Sequence, residues 1–176
     1  AASMGGLTFM VHLGLSNAAT IRAGNALGRR DRAHLARGTK VVTAMSLAMS
    51  VMAITVFLTM PETLISAFLD PDEPRKAEII AIGTGLLVVA ALFQLVDGLQ
   101  AIALGVLRGV QDTAAPMVIA GVSYWALGIP VSYLLGFVFG VWLGLVTGLG
   151  TAAVLLMLRF WRRGVHMVPD AGAEPA

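Results

Sequence analysis

IIAIGTGLLVVAALFQLVDGLQAIALGVL, residues Ile79–Leu107, holds one charged side chain, Asp97, in a run that is otherwise almost wholly apolar or small. A helix needs roughly 20 such residues to cross ~30 Å of hydrocarbon, so the stretch is long enough to span a bilayer. A carboxylate at that depth costs about 2.5–3.5 kcal/mol on insertion scales. Groups that expensive face a bundle interior or a water-filled path, which makes Asp97 the first candidate functional residue.

Composition extends this reading to the whole chain. Of 176 residues, 57% are hydrophobic and 12% are charged, with a mean hydropathy of +0.84. A soluble domain carries about 25% charged residues. With half that charge the chain could not cover a water-facing surface, and the fold class it predicts is all-α integral membrane. The net charge of +2 is no nucleic-acid footprint, and the absence of Cys excludes disulfides, zinc–thiolate sites and cysteine catalysis. The opening AASMGGLTFMV is already apolar and lacks the basic start of a signal peptide; it predicts a piece of a longer protein.

Five spans are expected, at about 5–26, 41–60, 79–107, 116–135 and 141–158, within a membrane domain of residues 1–163. The first is interrupted by His12, Asn17, Thr20 and Arg22, which suits a helix facing a bundle interior. The second has Thr43, Ser46 and Ser50 on one face. Between these two spans, Gly28–Lys40 is too basic to be buried and reads as a connection. Pro61–Glu78 is an acidic connection with a short amphipathic turn and a DPDEP turn. Asp112 or Thr113 is placed to cap the fourth span, with Pro116 in its first turn, and Arg108 is a candidate partner for Asp112. Pro130 should kink or locally open the fourth span. Gly140, Gly144 and Gly148 form a close-packing stripe on the fifth. Residues 164–176 read as a disordered cytoplasmic tail.

Charge asymmetry orients the spans. Alternating connections put Arg29, Arg30, Arg32, Arg37, Lys40, Arg108, Arg159, Arg162 and Arg163 on one side and only Arg75 and Lys76 on the other. Basic residues favour the cytoplasm, so the C-terminus is expected inside, in a plasma (inner) membrane. The Ala, Gly and Arg bias points to a bacterial source.

FQLVDGLQAIALGVLRGVQDTAAPM, followed by SYWALGIPVSYLL and GVWLGLVTGL, resembles the C-terminal half of multidrug and toxic compound extrusion (MATE) transporters. GLSNAATIRAGNALGRRDRAHLARG resembles the small-residue helix and basic loop early in that half. The resemblance covers about Gly5–Arg163. It implies most of one six-helix lobe of a twelve-helix antiporter, matching helices eight to twelve, with the N-terminal lobe as a missing partner. It also implies exchange of cationic or amphipathic organic compounds for Na⁺ or H⁺ by alternating access. In the NorM-like branch an Asp of the tenth helix is a cation ligand, and Asp97 matches it; Asp97 is then the metal ligand if the coupling ion is Na⁺. No organic cofactor and no enzyme chemistry is implied.

The remaining polar residues have two readings each. Gln94 and Gln100 flank Asp97 and supply either carbonyl oxygens to a cation or interhelical hydrogen bonds. Asn17 and Thr20 divide in the same way. Tyr124 and Trp125 either stack on a cationic substrate or pack as ordinary bundle aromatics. His12 reads as a packed or water-contacting residue. Two alternatives stand beside the antiporter: a lipid-linked oligosaccharide flippase, for which Arg22 is the one basic residue inside a span, and a non-transporting truncated membrane fragment.

Overall fold

The computed structural model describes residues 4–67, 75–136 and 139–169, and among these the regular structure is helical. The long apolar run forms α4, Lys76–Gly109, the helix on which the others assemble. α1 (Met4–Gly28) and α2 (Arg32–Thr59) pack on one part of its surface, and α7 (Phe139–Arg162) packs on another. α3 (Pro61–Ser66) is one short amphipathic helix with Pro61 at its start and Glu62 in its first turn, where a missing N–H and a negative charge both suit a helix N-terminus. Ile65 docks it onto α4, where a Cβ on Gly83 would lie 2.8 Å from Ile65 Cδ1. The expected DPDEP turn falls outside the described residues.

The fourth span is one helix in three pieces: α5 (Ala114–Ser123), a π-helical turn (Tyr124–Gly128) and α6 (Ile129–Leu135). Pro130 explains the middle piece. Proline has no N–H for the usual bond four residues back, and the backbone widens ahead of it, with Ile129 N–H donating to the Tyr124 carbonyl. The glycine stripe of α7 fits against this opened helix. A Cβ on Gly144 would lie 2.5 Å from the Gly128 carbonyl oxygen, and one on Gly140 would lie 2.7 Å from that of Ser132.

Among the described residues, four helical segments are long and apolar enough to cross a membrane: Arg32–Thr59, Lys76–Gly109, Ala114–Leu135 and Gly140–Met167. α1 is not among them, because it carries the polar side chains that turn toward α4. Two expectations are corrected. The basic stretch after Gly28 is mostly helix rather than loop: α2 begins at Arg32, capped by Asp31, whose Oδ1 accepts from the His34 N–H at 2.8 Å. It stays helical because Leu35, Gly38 and Thr39 bury one face while Arg37 and Lys40 keep the other in solvent. The tail expected to be disordered begins with a 3₁₀ turn, Gly164–Met167, and Val165 and Val168 join the core; residues 170–176 lie outside the described set.

α1 and α4 run parallel. Thr8 meets Gln94, Ser16 meets Ala101, and Thr20 meets Gly105. Both helices end in the same device. Arg30 and Gln111 take positive φ (52° and 64°), and the next N–H reaches back to the carbonyl five residues earlier, Asp31 to Ala26 and Asp112 to Leu107. This is a Schellman cap with a non-glycine residue in the left-handed position. The ends of α1 and α4 and the start of α2 therefore lie together, at what we term the basic end. The apolar core sits here, built from Ala19, Ala23 and Ala26 of α1, Ile102, Val106 and Leu107 of α4, and Leu156 and Phe160 of α7. Small residues let the helices approach closely, which matters because lipid offers no hydrophobic force between helices.

Asp112 does not pair with Arg108, and it is Thr113 that occupies the N-cap position of α5, with no side-chain cap bond. Asp112 instead accepts two hydrogen bonds from Arg159 of α7, Nε to Oδ2 at 2.7 Å and Nη2 to Oδ1 at 3.1 Å. The pair ties the α4–α5 turn to the last span. Asp112→Ala should lower stability by about 2 kcal/mol, in the range for a hydrogen bond to a charged group. Arg159→Ala should cost a similar amount, and the double variant little more; thermal unfolding in detergent measures all three. Additive losses would show that the two side chains act independently.

Candidate ion-coupling site

The α1 face that meets α4 is a ladder of polar side chains one turn apart: Thr8, His12, Ser16 and Thr20. On α4 it meets Gln94, Gly98 and Gly105. Ser16 donates to the Ala101 carbonyl at 2.6 Å. The Thr20 hydroxyl lies 3.0 Å from the Ser16 carbonyl and 2.9 Å from that of Gly105. Thr20 is thus spent on helix–helix bonding, whereas Asn17 lies off this face and is exposed.

His12 is the centre of the site and is completely buried. Its ring lies against Gly98, the residue after Asp97; a Cβ there would collide with Nε2. Nδ1 sits 2.8 Å from the Thr8 carbonyl oxygen and 3.2 Å from the Gln94 side-chain nitrogen. A carbonyl only accepts, so Nδ1 carries a hydrogen, and the Gln94 amide orientation compatible with it turns its oxygen to the ring. Either end of that amide can meet Thr8 Oγ1, 3.0 Å away. On the far side, Nε2 lies 3.2 Å from Ser50 Oγ, which in turn lies 3.5 Å from the Gln94 backbone carbonyl.

This chain of contacts is satisfied in two protonation states. With a neutral ring, the Ser50 hydroxyl donates to Nε2. With a charged ring, Nε2–H donates to Ser50 Oγ and the hydroxyl hydrogen turns to the Gln94 carbonyl. Only a hydrogen rotates.

Asp97, the residue before the Gly98 that His12 packs on, is half-buried and makes no hydrogen bond among the described residues. Gln94 and Gln100 diverge from it. Gln94 turns to α1, while Gln100 donates to the Tyr124 hydroxyl on the π-helical turn. Trp125, next to Tyr124, is 75% exposed and makes no part of this cluster. Two buried oxygens near Asp97 lack a hydrogen-bond partner among the described residues: Ser46 Oγ, which faces Gly98, and Gln100 Oε1. Along α4, Asp97 lies between Gln94, which joins the histidine network, and Gln100, which joins an amide–phenol pair.

The MatE family model matches residues 1–134. The chain belongs to the MatE family. Among its curated relatives, "Probable multidrug resistance protein NorM" of Agrobacterium fabrum is 41% identical over 165 residues, covering 91% of this chain and 36% of that protein. The protein of the same name from Mesorhizobium japonicum is 43% identical over 164 residues, covering 89% of this chain and 35% of its own length. The chain thus spans about a third of the relatives it matches. The crystal structure of the eukaryotic MATE transporter AtDTX14 superposes with a TM-score of 0.77 at 21% identity, over 92% of this chain and 37% of that one. The all-α membrane fold expected from the sequence is the MATE fold, in a family of transporters rather than enzymes.

From the sequence alone His12 reads as a packed or water-contacting residue, and Gly98, Thr8 and Ser46 individually carry no mark of the site. A usable signal was present: Thr8, His12, Ser16 and Thr20 repeat every fourth residue, and Ser46 and Ser50 do the same on α2. Two such polar faces inside apolar helices predict that the helices face each other.

Proposed function

We propose that this chain is part of a secondary multidrug antiporter that expels amphipathic or cationic organic compounds in exchange for protons, with Asp97 as the coupling carboxylate and His12 as its protonatable neighbour. The observation that supports the choice of ion is the His12 network, whose hydrogen bonds can be met with a neutral or a charged ring by turning one hydroxyl hydrogen. Family membership and the names of the NorM relatives support multidrug efflux. The half-burial of Asp97, which makes no hydrogen bond among the described residues, supports its role as the exchange point: a proton or an organic cation neutralises it, and each excludes the other.

Alternating access follows from that exclusion, because each occupant favours a different arrangement of the two lobes. The flippase alternative needs a basic cavity. Arg22, its one candidate residue, is exposed beside Gly38 at the basic end. The test is drug efflux by the full-length protein in vesicles, under an imposed pH gradient or an imposed Na⁺ gradient. The expected outcome is efflux driven by the pH gradient alone and reduced about a hundredfold, to a measurable residue, in Asp97→Asn. Efflux driven by Na⁺ alone would overturn the choice of ion, and full efflux by Asp97→Asn would overturn the site.

A further inference from the structure

A groove of about 480 Å³ runs between α4 and α7, lined by Val96 and Leu99 on one wall and by Val154, Met157, Leu158 and Trp161 on the other. Its lining is apolar throughout, and at the basic end it stops at Trp161. The indole ring is held edge-on by Phe160, with centroids 5.2 Å apart, and the Lys40 ammonium lies 5.8 Å above its face. Lys40 comes from α2, so a third helix sets a positive charge over the Trp161 ring that lines the groove. Arg37 lies one turn before it, and Arg162 follows Trp161; both are exposed.

The groove's length identifies what fits it. From Gly150 to Trp161 the α7 wall rises roughly 16 Å at 1.5 Å per residue, about half of a ~30 Å hydrocarbon layer. A spanning helix needs the whole thickness, whereas a lipid acyl chain occupies one leaflet. Trp is enriched at the membrane–water interface, and basic pockets between spans bind anionic lipid headgroups.

We propose that this groove is a binding site for one anionic glycerophospholipid, its acyl chain along Val96, Leu99 and Val154 and its phosphate at Lys40 over Trp161. The site is separate from Asp97 and His12, and its failure would leave the antiporter reading untouched.

Photoactivatable phosphatidylglycerol and its phosphatidylcholine counterpart, each added to the full-length protein in mixed micelles, test it. Labelled peptides are mapped by mass spectrometry. Phosphatidylglycerol should label the segment from Gly150 to Trp161 at least fivefold more than phosphatidylcholine. Lys40→Gln, a change at an exposed side chain, should remove that preference while leaving thermal stability in detergent unchanged. Val154→Trp, which fills the groove, should remove labelling by both lipids. Equal labelling by the two lipids, or a preference that survives Lys40→Gln, would overturn the proposal. So would absence of label from this segment, the result expected if another helix of the full-length protein or a second copy covers the groove.

Discussion

Gly105→Leu should cost the full-length protein at least 3 kcal/mol and remove most of it from the folded fraction extracted in mild detergent. A Cβ at this position would stand 2.5 Å from the Ser16 carbonyl oxygen and 2.6 Å from its hydroxyl oxygen, so α1 would have to withdraw from α4. Overpacking a core typically costs 1–3 kcal/mol, and more where backbone must move. Withdrawal also breaks the bonds from Ser16 to Ala101 and from Thr20 to Gly105, each worth about 0.6 kcal/mol in a membrane bundle. Gly109 sits in the same seam, with a Cβ placed 2.5 Å from the Thr20 carbonyl oxygen, and relaxation at one position is blocked by the next. Gly121, where a Cβ meets nothing within 4 Å, is the control: Gly121→Ala should change the unfolding temperature little. If Gly105→Leu folds like the control, the close approach of α1 and α4 is not what holds the bundle together.

That seam also marks how far the sequence is legible. The apolar run at Ile79–Leu107, the Pro130 distortion and the α7 glycine stripe follow from local rules on span length, a missing N–H and small-residue spacing, and each has its counterpart in the helices observed. The sequence could not supply partners. Gln94 and Gln100 are symmetric about Asp97 along the chain, yet one turns to His12 and the other to Tyr124, since a helix separates residues six apart onto different neighbours. Asp112 could be read as a cap or as a partner of Arg108, because both are local. Its actual partner, Arg159, is 47 residues away. The start of α2 was misplaced for a related reason: five basic residues look like loop until Leu35, Gly38 and Thr39 are seen to bury the opposite face.

His12→Gln should reduce pH-gradient-driven efflux by about tenfold to a hundredfold, and combining it with Asp97→Asn should reduce efflux no further than Asp97→Asn alone. Glutamine keeps an amide able to bond the groups around His12 but cannot take up a proton. The variant therefore removes the imidazole and spares most of the packing, whereas leucine would strand Thr8, Ser50 and Gln94 at about 1–3 kcal/mol for each unsatisfied group. Residues acting as one unit show coupling energies of 0.5–3 kcal/mol in a double-variant cycle, and 1.4 kcal/mol corresponds to tenfold. If His12 and Asp97 share the transported proton, most of the loss from Asp97→Asn already includes the loss of His12, and the second substitution has nothing left to remove. If the two are independent, the double variant falls by the product of the single losses. A second readout separates coupling from folding: His12→Gln should still equilibrate drug down its own gradient, since the path is intact, while failing to concentrate it against one. Uphill transport at wild-type rate by His12→Gln would return the ring to a purely packing role and leave Asp97 to couple alone, whereas loss of both downhill and uphill transport would show that the ring holds the path open.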